Sequence, residues 1–386
     1  MSKSWLKKSL ALVVVLILSL LCFQSNAQEP SDGFDPDFIA LAQRYHEDNH
    51  GISLILMKEG EIVYEAYTGI GSPQRAHELA SGTKSFSGIM AAFAVQDGLM
   101  EWDELAKETL PEWEDDPIKS LITIRQILWL TSGVRGGNQP GNVPTYEEAL
   151  QAPALFRPDR VFMYDSAPFQ IFGEIMRRKL EPQGIDPLEY LDQKLFQPLN
   201  IGYGFWRRGR DGNPHLPSGA FLTARHWATF GEFVRKEGLW NEEILLDPDL
   251  IKECFIGSDP NPGYGLTWWL NREVSKEIRD RNRMIDRNYM WDHPAIPKDL
   301  VRAAGAGGQR LYISQAEGWV IVRQATGILE ALDRGTGFND QAFLSLLLTG
   351  KTNEASFSEH CLMAGEINTT NQRAWPPLAW RQILIA

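Results

Sequence analysis

The chain has 386 residues, 43% apolar and 23% charged, with 33 Gly, 22 Pro and three Cys, a profile that excludes a disordered chain, a disulfide scaffold and a multi-span membrane protein. Its 38 basic and 50 acidic residues give a net charge of −12, and no Lys/Arg run interleaved with aromatics could follow a phosphate backbone, so nucleic acid is not expected as a partner. The length suits two to three domains, or one large domain with a big insertion.

Residues 1–27 read as an export signal. Lys3, Lys7 and Lys8 form a basic start, Leu10 to Phe23 an apolar run of about fourteen residues, and Ser25-Asn26-Ala27 a small-x-small cleavage site. The run is short of the roughly twenty residues a membrane span needs, so a retained anchor is the lesser reading. Cys22 follows Leu21, where lipidation would want a small residue. The mature chain is expected to begin at Gln28 as a soluble protein of a bacterial periplasm or the medium, with no stable membrane insertion. Losing three lysines and no carboxylate leaves it with 35 basic and 50 acidic residues, a charge of −15. Of the cysteines, Cys254 and Cys361 remain; an oxidising compartment permits a bridge between them, and two free buried thiols are the alternative.

In chain order, a polar leader (Asp32 to Asp37) precedes helical apolar spacing over Phe38 to His46, stopped by Gly51. Ile52–Met57 and Ile62–Tyr67 are β-rich runs about a turn at Gly60, a hairpin. Phe86, Ile89, Met90, Phe93 and Ala94 then recur at helical spacing within Thr83 to Gln96, a buried helix ended by Gly98. Residues 100–300 read as a largely helical region, with helices near 118–130, 145–152, 166–180, 186–196, 223–237 and 247–254. Asn271 to Asn288, dense in Arg, Asp and Glu, is a solvated helical face or a mobile lid. Strand character returns at Gln309–Ser314 and Trp319–Gln324, followed by a helix over Asn339–Leu348. Strands at both ends with helices between predict one sheet built from 38–98 and 300–350. Residues 351–386 form a polar tail of unknown role.

Two apparent metal motifs fail on context. His46-Glu47-Asp48-Asn49-His50 fits H-E-x-x-H, yet Asn49 and Gly51 end the helix that both histidines would need. Asp32 to Asp37 lacks the spacing and terminal Glu of a calcium loop. No G-x-S-x-G is present, which excludes the strand-to-helix nucleophile elbow. Ser81-Gly82-Thr83-Lys84 instead places a serine at the start of an apolar helix with a lysine three residues later, on the same face. Burial would push that lysine towards the neutral base that takes a serine proton, and the helix N-terminus would favour an oxyanion. A helix-capping serine beside a surface lysine is the plainer alternative.

The surroundings decide between them. Ile122-Thr123-Ile124-Arg125-Gln126-Ile127-Leu128-Trp129-Leu130-Thr131-Ser132-Gly133 resembles an I-T-I-R-x-L-L-x-x-T-S-G signature. Phe156-Arg157-Pro158, Phe162 to Ser166, Ser218 to Arg225 and Tyr264 to Trp269 follow in matching order. From about residue 38 to 350 the chain resembles the serine β-lactamase and penicillin-binding-protein superfamily, specifically its class C β-lactamase-like hydrolases. The resemblance implies an α+β fold of the β-lactamase/transpeptidase type: an antiparallel sheet flanked by helices, with a largely helical inserted region, as one domain over 28–350.

It also implies an acyl-enzyme mechanism with Ser81 as nucleophile and Lys84 and Tyr164 as proton carriers, needing no metal and no cofactor. Tyr164-Asp165-Ser166 stands where the family has Y-x-N; Ser166 cannot offer both an amide donor and acceptor, which puts substrate-amide recognition in doubt. Ala306-Gly307-Gly308-Gln309 is the best match to the third motif, K-T-G or H-x-G on the inner strand. There Ala306 replaces a cation, Gly307 and Gly308 would let substrate lie against the strand edge, and the N–H groups of Ser81 and Gln309 would hold the oxyanion. Lys351-Thr352-Asn353 looks like that motif but precedes no strand. Of the many tryptophans, Trp268 and Trp269 are expected near substrate. Relatives on this scaffold cleave β-lactams, D-amino-acid peptides, esters and linear amides such as 6-aminohexanoate oligomers. The two departures favour an esterase or amidase acting on a small, weakly charged ester, amide or peptide-like substrate. A β-lactamase or penicillin-binding D-peptidase is the second reading, and a non-catalytic ligand-binding relative the third.

Overall fold

Helix α1 (Pro36–Asp48) begins where the Asp35 carboxylate accepts a hydrogen bond from the Asp37 backbone N–H and Pro36 supplies a helical φ. It belongs to a computed structural model that describes residues 33–136, 143–334 and 337–351. Residues 1–27, most of the tail and Cys361 lie outside the described residues; Cys254 is buried and has no disulfide partner among the described residues. The chain divides into units Met1–Gly350 and Lys351–Ala386, and every element described below belongs to the first.

His50 has a left-handed φ of 62° and lies past the end of α1, so the two histidines of the H-E-x-x-H stretch share no helix. His46 is buried against Gly51, where any Cβ would stand 2.3 Å from its ring. Burial, with help from Arg323, pulls its pKa down to about 3, so it is neutral. Among the described residues, no group of three or more His, Cys, Asp or Glu could hold a metal ion. No described helix is long and apolar enough to cross a membrane.

Strands β1 (Gly51–Lys58) and β2 (Glu61–Tyr67) form the expected hairpin, with positive φ at Glu59 and Gly60 as a two-residue turn demands. After β3 (His77–Glu78) and helix α2 (Ser85–Gln96) comes the middle region. Its helices are α3 (Ile124–Leu128), α4 (Tyr146–Gln151), α5 (Ala167–Leu180), α6 (Pro187–Leu191), α7 (Ala224–Arg235), α8 (Pro248–Glu253), α9 (Lys276–Arg281) and α10 (Arg283–Asn288). Capping boxes at Thr123/Gln126 and Thr145/Glu148 fix the starts of α3 and α4. Short strands β4 (Tyr203–Trp206), β5 (Ala220–Leu222), β6 (Leu239–Trp240), β7 (Glu243–Ile244) and β8 (Trp269–Leu270) interrupt these helices. The chain closes with β9 (Val301–Gly305), β10 (Gln309–Ser314), β11 (Trp319–Ala325), α11 (Ile328–Arg334) and α12 (Asp340–Thr349).

The main sheet runs β2-β1-β11-β10-β9-β8, all antiparallel, so the chain's two ends do meet in one sheet. Alternation splits its side chains between two cores. Leu311, Ile313, Val320 and Val322 pack with Phe86, Phe93 and Phe230 on one face. Tyr312, Trp319 and Ile321 pack with Ala42, Phe343 and Leu347 of α1 and α12 on the other. Two features of residues 100–300 and beyond go past the sequence reading. β3, β5 and β4 make a separate three-stranded sheet. Strand β9 carries a buried arginine, Arg302, whose Nη2 donates to the Asn288 carbonyl at 3.0 Å and side-chain oxygen at 2.6 Å, and that charge hides the strand's hydrophobic pattern. Asn271 to Asn288 is the solvated pair α9–α10, with mostly exposed charges joined as Lys276–Asp280 and Arg281–Glu277.

Candidate active site

Ser81 lies in a short 3₁₀ turn, Ala80–Lys84, that leads into α2 rather than in the first α-helical turn. Ala80 enters it at a left-handed φ of 46°, a strained setting for a residue with a Cβ. The neighbours hold it there. Thr83 Oγ1 donates to the Ala80 carbonyl at 2.7 Å and accepts from Ala220 N–H at 3.1 Å, and Leu79 N–H donates to the Ala220 carbonyl at 3.0 Å. In a 3₁₀ turn residues i and i+3 eclipse, and Lys84 Nζ accordingly donates to Ser81 Oγ at 3.1 Å.

Lys84 is 3% exposed. Its ammonium also donates to the Pro217 carbonyl at 2.9 Å and faces the rings of Tyr164 (5.0 Å) and Phe169 (5.1 Å). No carboxylate forms an ion pair with it among the described residues. Burial therefore pulls its pKa down to about 7, with the more distant Asp165 opposing. A lysine so placed is neutral in a large fraction of molecules at neutral pH, as a base for the Ser81 hydroxyl must be.

Tyr164 is half-buried, stacked on Trp269 (centroids 5.6 Å apart) and edge-on to Tyr264. Burial pushes its phenol up to about 12, while the Ser81 hydroxyl, Arg310 and Trp269 pull the other way. It stays protonated and can give up its proton only in exchange for another. Asp165, missed as a site residue, fixes this segment: its Oδ1 accepts from Ala167 N–H at 2.9 Å and Gly136 N–H at 3.3 Å. The signal was present, since Asp165 shortly before Pro168 is a helix-start pattern. Ser166 is half-buried at the start of α5 and makes no cap hydrogen bond.

The third motif moves. Ala306, Gly307 and Gly308 form a tight turn between β9 and β10 and lie in no strand; Gly307 and Gly308 have φ of 76° and 78°. Their small size serves packing rather than a substrate-facing strand edge. A Cβ on Gly308 would meet the Arg323 guanidinium at 2.3 Å, and one on Gly307 would meet Ile328 at 3.0 Å. Gln309 opens β10, fully buried, and its side chain exchanges hydrogen bonds with the Ala325 backbone at 2.7 and 3.0 Å.

The strand packed on the Ser81 turn is β9. A Cβ on Gly305 would stand 2.1 Å from the Leu79 carbonyl and 3.1 Å from Gly82 N. The stretch in the motif's place is thus Ala303-Ala304-Gly305, three residues earlier than expected, and the N–H that follows it belongs to Ala306. Arg310 Nη1, on β10, donates to the Gly305 carbonyl at 2.9 Å. That carbonyl therefore lies on the β10 side, and across the trans peptide the Ala306 N–H points to the opposite edge. There β8 pairs only with Val301 and Arg302.

Of the two tryptophans expected near substrate, Trp269 stacks on Tyr164. Trp268 points the other way, since successive residues in extended chain point to opposite faces, and is fully buried between Phe230 and Phe255 in the core. One consequence of the Gly305 contact is measurable. Gly305→Ala should destabilise the protein by about 1–3 kcal/mol through overpacking and cut turnover by roughly tenfold or more by displacing the Ser81 turn, read from a thermal melt and ester kinetics.

Comparison with known proteins decides the family. A family model described as Beta-lactamase matches residues 38–327. The chain belongs to the beta-lactamase family. Its fold is accordingly that of the β-lactamase-like hydrolases, and solved structures agree. EstCE1, described as a hydrolase with promiscuous acyltransferase activity, superposes with a TM-score of 0.59 at 14% identity, covering 80% of this chain and 97% of that one. A D-stereospecific amidohydrolase from Streptomyces sp. gives 0.58 at 14% identity over 81% and 99%. A penicillin-binding protein homologue from Caulobacter crescentus gives 0.57 at 16% identity over 76% and 92%. Protein flp of Staphylococcus aureus (strain MRSA252) is 20% identical over 184 residues, 43% of this chain and 36% of that protein's length. The chain thus spans about a third of the length of that curated relative.

Proposed function

We propose that this beta-lactamase-family protein is a serine hydrolase that cleaves an ester or amide bond of a small, weakly charged substrate through an acyl-enzyme on Ser81. The observation that carries the reading is the Lys84 Nζ to Ser81 Oγ hydrogen bond, made by a buried lysine whose pKa has fallen to about 7. Neutral Lys84 takes the hydroxyl proton as Oγ attacks the carbonyl. The N–H groups of Ser81 and Ala306, the latter in place of Gln309, receive the developing oxyanion. Tyr164 passes its proton to the leaving group and is reprotonated from Lys84; water then releases the acyl group with the same groups acting in reverse.

The chemistry of the strand favours esters and linear amides over β-lactams. Ala303 and Ala304 stand where a cation would meet a substrate carboxylate, and the nearby Arg310 is already committed to Asp340. The amidohydrolase and EstCE1 support hydrolysis on this fold but do not select the substrate. Export through the segment 1–27 belongs to the same proposal.

The test is intact mass after incubation with a fluorophosphonate and, separately, benzylpenicillin, alongside nitrophenyl butyrate turnover. Phosphonylation with ester turnover and no rapid or lasting penicillin reaction is expected. A fast penicillin reaction would favour the β-lactamase or D-peptidase reading. A folded protein that neither probe labels would be a binding relative instead.

A further inference from the structure

We infer that Arg310 is a positioning residue for the oxyanion site: it anchors and polarises the Gly305–Ala306 peptide from the far side of the strand. The inference rests on the reading above, in which Ser81 is the nucleophile and Ala306 N–H an oxyanion donor.

Arg310 uses its guanidinium in two directions. Nε and Nη2 donate to the two Asp340 carboxylate oxygens at 2.6 and 2.9 Å, a fork-to-fork pair that fixes the plane of the group. Nη1 then reaches two carbonyls, Gly305 and Gln309, each at 2.9 Å. Asp340 is itself held by the Tyr312 hydroxyl at 2.7 Å and lies 3.6 Å from the buried Arg302. The carboxylate therefore has little freedom, and neither has the arginine that it orients.

The Gly305 carbonyl and the Ala306 N–H are the two ends of one peptide group. A cationic donor on the carbonyl oxygen draws electron density across that peptide and strengthens its N–H as a donor. It also stops the peptide from rotating, so the N–H is aimed before substrate arrives. The turn that follows depends on the same kind of support, since Arg323 Nη1 donates to the Gly308 carbonyl at 2.7 Å. Ala303 and Ala304 themselves bring no charge to β9. Arg310 delivers its charge through the backbone instead, touching no reacting atom.

The experiment compares Arg310→Met and Arg310→Lys with wild type, using nitrophenyl butyrate kinetics, fluorophosphonate labelling rate and near-UV circular dichroism. Arg310→Met should lower kcat and the phosphonylation rate together by about 10- to 100-fold, less than the roughly 10²- to 10³-fold lost when an oxyanion donor is removed outright, with KM changed less than about threefold. Arg310→Lys, which keeps a cationic donor, should recover about tenfold. A folded Arg310→Met with wild-type kcat, or one altered only in KM, overturns the inference. If Arg310→Met does not fold, Asp340→Asn takes its place: it loosens the guanidinium and should lower kcat in the same direction, and an unchanged kcat overturns the inference. Wild-type protein that is not phosphonylated at Ser81 overturns the parent reading as well, whereas labelled wild type with an unaffected variant overturns this inference alone.

Discussion

Ser81→Ala is expected to lower ester turnover by at least about 10⁴-fold and to abolish phosphonylation, because it removes the hydroxyl that Lys84 activates. The fold should survive. Ser81 Oγ accepts one hydrogen bond, from Lys84, and Lys84 keeps the Pro217 carbonyl as a partner, so the stability change should stay within about 1 kcal/mol. Intact mass with the fluorophosphonate and a thermal melt on one preparation check both halves. Labelling that persists in the alanine variant would place the nucleophile elsewhere.

Lys84→Met should have an effect on catalysis of similar size and should raise stability. The ordinary pKa of 10.5 falls to about 7 in the folded protein because burial penalises the charged form. Between those values the unfolded chain binds the proton that the folded chain has lost, so stability attributable to this group rises with pH through that window. Below about 7 the folded protein holds a buried ammonium with no ion-pair partner among the described residues and bears the full cost. Lys84→Met removes that cost and should raise stability at pH 6 by on the order of 1–3 kcal/mol, the gain shrinking towards pH 10. Acylation by wild type should climb with pH through about 7 as Lys84 loses its proton, and the methionine variant should lose both that limb and the activity. Denaturant melts at pH 6 and pH 9, with a pH–rate profile, decide it; a variant that acylates at the wild-type rate would remove Lys84 from the mechanism.

α7 was legible from one apolar face at the helical repeat, whereas β1, α2 and α12 were legible as apolar runs buried on every side. Spacing put Ser81 and Lys84 on one face, and only the resemblance of the surrounding segments chose them over a capping serine with a surface lysine; the turn that joins them is 3₁₀ and not α-helical. The third motif was misplaced by three residues. Ala303-Ala304-Gly305 and Ala306-Gly307-Gly308 are nearly the same string, and only the contact between Gly305 and the Leu79 carbonyl tells strand from turn. Trp268 and Trp269 are neighbours in sequence with opposite fates, set by which face of the chain each occupies. Arg310 escaped notice because it works on backbone groups that folding brings close, contacts that no local pattern records, whereas Asp165 had a local helix-start signal that went unused.

The sheet order also has a consequence for how the molecule comes to exist. β1 finds its partner in β11, and the Ser81 turn rests on β9, so both pairings join the first part of the domain to its last. Such long-range contacts repay their loop-closure entropy late in folding. A nascent or truncated chain that stops short of β9 holds Ser81 and Lys84 without the strand that completes their surroundings. Activity should then switch on with completion of the chain rather than grow with its length, and a hydrolase built this way stays inert while it is being made.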